Sequence, residues 1–202
     1  MSEPLTDVRI VTADDVDTAA LVFARGFHDD PLWAWAFPDQ TQRPMQQLVF
    51  WRFCVVEAIR YPWTFLAAGD RTTTCWIPPS GSELSEQGAE QFEPLLRDLL
   101  GDGAAPVIEL FETLDEHHPH DEPHFYLSLF ATDPEARGNA YGQALLRHNL
   151  EQIDHLKASA YLESSNPRNI AMYERHGFAV VHRVAGPAGC PDFAGLWRDA
   201  RH

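Results

Sequence analysis

The stretch TDPEARGNAYGQALLRH, from Thr132 to His148, joins a polar turn directly to the start of an amphipathic helix. The turn carries Arg137, Gly138 and Gly142, and the apolar residues that follow have helical spacing: Leu145, Leu146, Leu150 and Ile153. A helix N-terminus presents unpaired N–H groups and roughly half a positive charge, so it attracts phosphate. Glycine lets the backbone approach a ligand closely, and the arginine adds a cation. The stretch therefore predicts a pyrophosphate site, although a plain strand-to-helix turn would also fit it.

Composition favours one globular domain in a reducing compartment. The 202 residues are 45% hydrophobic and 22% charged, which is ordinary for a folded domain. No run of apolar residues approaches the roughly 20 needed to span a bilayer, and the start MSEPLTD does not resemble a signal peptide. The cysteines, Cys54, Cys75 and Cys190, lack metal-ligand spacing. We expect a cytoplasmic protein.

The charge balance limits the class of partner. Asp and Glu number 30 against 15 Lys and Arg, which gives a formal net charge of -15. This charge repels nucleic acids and anionic membranes, and it slightly favours cationic ligands. We expect neither nucleic acid nor membrane as a partner.

Hydrophobic periodicity predicts alternating strands and helices along the whole chain. DDPLWAWAFPDQ, whose aromatic part is bracketed by Pro31 and Pro38, is predicted as an aromatic-rich loop. Strands are expected at 8–12, 63–68, 72–77, 124–132, 160–163, 178–184 and 193–198, and helices at 16–27, 41–61, 91–100, 106–117, 141–153 and 167–176. This order predicts an α/β (α+β) fold with a central mixed, mainly antiparallel sheet of about six to seven strands flanked by helices.

A second stretch, YLESSNPRNIAMYERHGF, gives the first one a context. Together they resemble the GNAT superfamily of acetyl-coenzyme A-dependent N-acetyltransferases, in which a [Q/R]-x-x-G-x-[G/A] turn precedes a helix and an N-x-x-x-x-x-x-Y helix precedes Gly-Phe. Here the first motif runs from Arg137 to Gly142 and the second from Asn166 to Tyr173. Ala140 stands where the family usually has its middle glycine, which is tolerable if its φ is negative.

The resemblance extends beyond these motifs. VRIVTADDV, CWIPP and EPHFYL, with the overall length, look like the puromycin N-acetyltransferase group. It implies a GNAT-type fold in a single N-acetyltransferase domain over 1–202, with a cofactor-binding core at about 124–180 and a helical insertion at about 83–120.

The resemblance also implies where acetyl-coenzyme A binds. The cosubstrate would lie where the strand ending at Thr132 splays from the strand at 160–163, with an N–H of Phe130 or Ala131 polarising the thioester carbonyl. Pantetheine and pyrophosphate would be held by Phe130, Ala131, Thr132, Arg137, Gly138, Asn139, Ala140, Tyr141, Gly142, Gln143, Asn166, Asn169 and Tyr173.

By its motif position Tyr173 is the expected general acid, which protonates the departing thiolate; the alternative is a half-buried core tyrosine. Since an alkyl ammonium has a pKa of about 10, the attacking amine must also lose a proton. Glu122, His124, Tyr126 and Ser128 precede or line the strand from which the superfamily often supplies a base. Nothing in the sequence selects among them, and Glu122 and Ser128 are retained as candidates beside Tyr173.

Four functions fit the sequence to different degrees. The first is acetyl transfer from acetyl-coenzyme A to a primary amine of a small molecule by direct attack in a ternary complex, in a monomer or homodimer. The second acts on a protein N-terminus or lysine, and the third is a non-catalytic acyl-coenzyme A sensor. The fourth is a metallohydrolase built on His117, His118, His120 and His124, but these histidines lack a metal-binding motif, so no metal is expected.

Overall fold

The structure is a computed structural model that describes residue 5, residues 7–187 and residues 189–201. Its strands are β1 (Arg9–Ile10), β2 (Thr64–Ala67), β3 (Thr72–Ile77), β4 (His124–Thr132), β5 (Ser159–Ser164), β6 (Ala179–Val184) and β7 (Phe193–Arg198). Its helices are α1 (Val16–Phe27), α2 (Pro31–Ala36), α3 (Arg43–Ala58), α4 (Glu86–Leu100), α5 (Ala104–His117), α6 (Tyr141–His155) and α7 (Pro167–Arg175). Within these described residues, every helix is too short or too polar to cross a membrane.

The strands form one seven-stranded sheet in the order β1-β2-β3-β4-β5-β7-β6. All neighbouring pairs are antiparallel except β4 and β5, which run parallel in the middle of the sheet. The predicted mixed, mainly antiparallel sheet flanked by helices is therefore confirmed.

Two apolar cores lie on the two faces of this sheet. On one face, α1 and α3 bury an aromatic cluster around Phe23, Phe50 and Trp51. On the other face, α6 buries Leu145 and the rest of its apolar stripe together with residues of α7. The helical period read from the stretch after Thr132 thus corresponds to real burial against the sheet.

The aromatic loop expected between Pro31 and Pro38 is wrong, since most of it forms α2. The Asp30 carboxylate accepts a hydrogen bond from the Leu32 N–H at 3.1 Å, and Pro31 occupies the first helical turn. An acidic N-cap followed by proline is a helix start signal, and it prevails over the reading of two prolines as loop boundaries.

The helix expected from residue 91 begins earlier than predicted. Ser85 is the N-cap of α4, because its hydroxyl accepts a hydrogen bond from the Gly88 N–H at 3.0 Å. The Ser85 backbone N–H in turn donates to the Glu57 carboxylate of α3 at 2.6 Å. This tertiary contact fixes the start of α4.

A bulge in β4 changes which face its side chains meet. Cys75 of β3 pairs with Leu129, and the next residue, Trp76, pairs with Leu127, so Ser128 is the extra residue. Before the bulge, Leu127 packs in the core beneath α6; after it, Leu129 packs in the core beneath α1. The bulge at Ser128 therefore lies two residues after Tyr126, where the pairing of β4 with β5 ends.

Candidate functional site

The parallel strands β4 and β5 separate after three paired residues. The register runs from His124 opposite Ser159 to Tyr126 opposite Tyr161. From Leu127 onward β4 is paired with β3 alone, and from Leu162 onward β5 is paired with β7 alone. An unpaired strand edge presents N–H and C=O groups to any extended ligand. The predicted splaying of these strands is thus present in the structure.

The register also fixes which backbone groups face this gap. The Asp133 N–H donates to the Arg71 carbonyl at 2.8 Å, and Ala131 lies opposite Thr73 two residues earlier. Since the direction of N–H and C=O alternates along a strand, Ala131 turns its backbone groups towards β3, whereas Phe130 and Thr132 turn theirs towards the gap. Of the two expected carbonyl-polarising donors, this geometry favours Phe130.

The turn after β4 has the left-handed backbone of an anion site. Gly138 has a φ of +87°, and a Cβ added there would meet nothing within 4 Å. Ala140, the N-cap of α6, has a φ of +59°. The negative φ under which alanine would be tolerated here is therefore not found: Ala140 adopts a left-handed backbone, which glycine adopts more readily than alanine. When left-handed residues such as Gly138 and Ala140 alternate with residues of ordinary backbone conformation, successive N–H groups point towards one position, where an anion can bind.

Gly142 and Arg137 have contacts that differ from the expected ones. A Cβ on Gly142 would come within 2.7 Å of the Thr132 hydroxyl oxygen, so this glycine allows α6 to pack on the end of β4. Arg137 donates through Nη2 to the Gly26 carbonyl at 2.8 Å, which ties the turn to the end of α1. Arg137 is nevertheless exposed, and its other donors remain available for an anion.

The asparagines of the two motifs take part in local bonding. Asn139 donates to the Ala136 carbonyl at 3.1 Å, and the Asn166 side-chain oxygen caps α7 by accepting from the Arg168 N–H at 3.1 Å. The side-chain NH₂ of Asn166 remains free to donate to a ligand. Asn169 and Gln143 are exposed, and Tyr141 is half-buried at the first position of α6.

Tyr173 lies on α7 within the core below the gap. Its ring centre is 6.5 Å from that of Phe130 and 6.0 Å from that of Phe178. Burial, with a smaller contribution from the Asp30 carboxylate, raises the pKa of Tyr173 well above its ordinary value. The phenol is therefore protonated at neutral pH and has a proton to give.

A cavity of about 790 Å³ opens at the point where the two strands part. Tyr126, Ser128 and Leu129 of β4 and Glu163 of β5 line it, and α3, α4, α5 and the loops beside them close it. Its carboxylates are Glu83, Asp115, Asp121, Glu122 and Glu163, and its aromatic side chains include Trp33, Phe50, Trp51, Phe92, Phe111 and Tyr126. Acidic groups beside an aromatic wall suit an amine that has an apolar body.

The candidate bases differ sharply in their surroundings. Ser128 donates its hydroxyl hydrogen to the Glu83 carboxylate, and burial raises the pKa of Glu83. Glu122 is exposed, and its backbone carbonyl accepts a hydrogen bond from Nδ1 of His124 at 2.7 Å. His124 is 7% exposed, and burial lowers its pKa. The structure thus brings Glu122, His124, Tyr126 and Ser128 to one cavity.

Sequence reasoning missed several charged or titratable cavity residues, among them Glu83, Glu163 and His118. Glu83 lies between the strand expected at 72–77 and the helix expected from residue 91, and Glu163 lies in a strand without a functional signal. His118 was weighed only as a metal ligand, yet its Nδ1 lies 3.7 Å from a Glu163 oxygen and its Nε2 lies 3.1 Å from Nε2 of His124. Among the residues that the structure describes, no group of three or more His, Cys, Asp or Glu side chains could hold a metal ion.

Residues 107–178 match the model of the acetyltransferase (GNAT) family. This range contains the β4–β5 gap, the turn before α6, and Tyr173. This part of the chain therefore has the sequence pattern of a GNAT acetyltransferase domain. GNAT acetyltransferases are transferases, and acetyl-coenzyme A is the cosubstrate that this family generally uses.

Solved structures share the fold of this protein over nearly the whole chain. The Corynebacterium glutamicum protein named histone acetyltransferase HPA2 and related acetyltransferase is 22% identical, with a TM-score of 0.70 over 100% of this chain and 98% of that one. A Drosophila melanogaster polyamine N-acetyltransferase is 13% identical, with a TM-score of 0.69 over 96% and 99%. A mosquito arylalkylamine N-acetyltransferase like 5b is 13% identical, with a TM-score of 0.64 over 96% and 99%. At these identities the likeness concerns the fold.

Proposed function

We propose that the protein transfers an acetyl group from acetyl-coenzyme A to a primary amine of a small molecule by direct attack in a ternary complex. One observation carries this proposal. The unpaired backbone edge of β4 has the turn at residues 137–143 at one end and an acidic, aromatic cavity at the other. A thioester laid along that edge meets an amine in the cavity at the place where the strands part.

The chain offers groups that fit each part of acetyl-coenzyme A. The N–H groups around Gly138 and Ala140, the start of α6 and the free donors of Arg137 suit the pyrophosphate. The gap-facing backbone groups of Phe130 and Thr132 suit the amides of the pantetheine arm, and the side-chain NH₂ of Asn166 adds a further donor. Bound there, the cosubstrate supplies an activated acetyl group.

Two groups of this chain serve the departure of coenzyme A. A gap-facing N–H of β4, such as that of Phe130, would stabilise the negative charge that develops on the carbonyl oxygen. Tyr173 is protonated at neutral pH because burial disfavours its phenolate. It would give its proton to the departing sulfur and recover one from solvent.

The cavity supports a small acceptor with a cationic amine. Its carboxylates Glu83 and Glu163 would attract an ammonium group, and its aromatic wall would hold an apolar body. The structural neighbours include enzymes named for agmatine, polyamines and arylalkylamines. The likeness to the puromycin N-acetyltransferase group adds antibiotic-type amines to the candidates. Acetylation of a protein N-terminus or lysine remains the alternative that an acceptor screen decides.

The test is release of free thiol from acetyl-coenzyme A with a panel of amines that includes puromycin, aminoglycosides, polyamines, arylalkylamines and short peptides. We expect turnover with at least one small amine. Tyr173→Phe should lower kcat at least about tenfold and leave coenzyme A affinity nearly unchanged, because it removes only the donated proton. Coenzyme A binding without turnover of any amine would favour the sensor, and turnover of peptides alone would favour a protein acceptor.

A further inference from the structure

A chain of hydrogen bonds at the mouth of the cavity fixes where its protons lie. Nδ1 of His124 faces the Glu122 carbonyl at 2.7 Å, and a carbonyl only accepts, so this nitrogen carries a hydrogen. Burial lowers the pKa of His124, so its ring is neutral and its Nε2 has a bare lone pair. That lone pair lies 3.1 Å from Nε2 of His118, which must therefore be the donor.

The consequence for His118 is that, in its neutral form, Nδ1 is unprotonated. This lone pair lies 3.7 Å from a carboxylate oxygen of Glu163, and the side chains are 21% and 10% exposed. The distance is too long for a hydrogen bond between the two groups, but one ammonium nitrogen could reach both. The hydroxyls of Tyr126 and Tyr161 lie within hydrogen-bonding reach of Glu163 and hold its carboxylate in place. The carboxylate has further acceptor positions, so it and the His118 lone pair can together receive one ammonium group.

We propose that His118 is the general base of this enzyme, that Glu163 holds the acceptor ammonium against it, and that His124 is the positioning residue that fixes its tautomer. The inference rests on the proposed function. The residues facing His118 are Glu163, His124, Tyr126, Tyr161, His120 and Glu83. The carboxylates among them attract the positive charge of the acceptor ammonium.

Each proton of the proposed reaction can be accounted for. An N–H bond of the ammonium breaks, an Nδ1–H bond forms on His118, and the freed electron pair attacks the thioester carbonyl. The second N–H proton leaves by the same route after His118 has passed the first to solvent. The C–S bond then breaks, and the sulfur takes a proton from Tyr173, which recovers it from solvent. One proton is released per acetyl group transferred.

The principal test compares His118→Gln with His117→Gln, whose side chain lies outside the cavity lining and bonds the Thr113 carbonyl at 2.8 Å. With an alkylamine, His118→Gln should lower kcat/KM about 100-fold at neutral pH, since a general base contributes about 10²–10⁴-fold. It should also remove one ionisation from the pH profile. With an amine that is already neutral at that pH the loss should shrink to severalfold. An equal loss with both amines, or no loss, overturns the proposal.

The positioning role of His124 has its own test. His124→Gln keeps a carbonyl that can accept from His118, whereas His124→Leu removes the acceptor. We expect the leucine variant to shift the ionisation assigned to His118 in the pH profile and the glutamine variant to restore it in part. Equal profiles in both variants would leave His124 without this role.

A spectroscopic measurement separates this inference from the proposed function. ¹⁵N NMR of histidine-labelled wild-type protein should show His124 as the Nδ1–H tautomer and neutral His118 as the Nε2–H tautomer. His124→Gln serves to assign the signals. The opposite tautomer of His124 overturns the proposal even if amines are turned over. The expected tautomers without turnover of any amine would refute the proposed function and with it the catalytic role of His118, leaving the hydrogen-bond chain as structure alone.

Discussion

Ala140 is expected to strain the turn before α6, which we propose as the pyrophosphate site. Its φ of +59° lies in the left-handed region, where a side chain costs about 1–2 kcal/mol relative to glycine. Replacing alanine by glycine also adds freedom to the unfolded chain, which opposes stability by about 0.4–1 kcal/mol. The difference predicts that Ala140→Gly stabilises the protein by about 0.5–1 kcal/mol, in line with the preference for glycine over alanine at an N-cap.

Gly138 provides the matched control in the same turn. Its φ is +87°, and an added Cβ would meet no atom within 4 Å, so Gly138→Ala tests backbone conformation without a steric clash. The same two contributions then act with reversed signs. We expect Gly138→Ala to destabilise the protein by about 0.5–1 kcal/mol.

Thermal unfolding followed by circular dichroism measures both variants. For a chain of this length, 1 kcal/mol corresponds to about 2–4 °C in Tm. Ala140→Gly should therefore raise Tm by about 1–4 °C, and Gly138→Ala should lower it by a similar amount. A fall in Tm for Ala140→Gly, or shifts of the same sign in both variants, would refute the strain argument.

Two further predictions concern the contacts that hold the gap and the sheet in place. Gly26→Ala should destabilise the protein by about 1–3 kcal/mol in urea unfolding and lower its affinity for coenzyme A. The reason is that the added Cβ would lie 2.7 Å from Cβ of Ala131 and push α1 away from β4. Unchanged stability would contradict this packing. Arg198 donates two N–H groups to the Asp154 carboxylate, each at 2.7 Å, and this bond lowers the pKa of Asp154. The ion pair therefore stabilises the folded protein above pH about 4, and this contribution is lost as the pH falls below that value. Asp154→Ala should cost about 3–5 kcal/mol at pH 7 and far less near pH 2, and a cost that does not change with pH would show that the charge is unimportant.

The sequence predicted local elements well where periodicity and capping agree. The helix expected at 167–176 is α7: it begins at Pro167, where a first-turn proline is tolerated, and ends before Gly177, whose φ of +93° suits a residue after a helix end. Asp30 and Ser85 show the opposite case, because each starts a helix in a stretch that looked like loop. Their signals are single residues, and at Ser85 the helix start also depends on Glu57, which is distant in sequence.

The candidate site also contains residues that the sequence marks and residues that it does not mark. The turn at 137–143 and Tyr173 lie in contiguous motifs, so the sequence could name them. The cavity residues Glu83, His118 and Glu163 come from a loop, the end of α5 and β5, and only the fold brings them together. No local pattern marks such a set.

The separation of β4 and β5 explains why the proposed cosubstrate groups lie in contiguous motifs, whereas the proposed acceptor groups come from separate parts of the chain. The gap is a backbone feature that requires a parallel pair to stop after Tyr126, and the bulge at Ser128 begins two residues later. Because the gap between β4 and β5 consists of backbone groups, it places few requirements on the side chains of these strands. The proposed acceptor groups instead project into the cavity from the loop before α4, the end of α5 and β5, which only the fold brings together. On the proposed function, exchange of residues at these positions changes the amine while the acetyl donor stays the same.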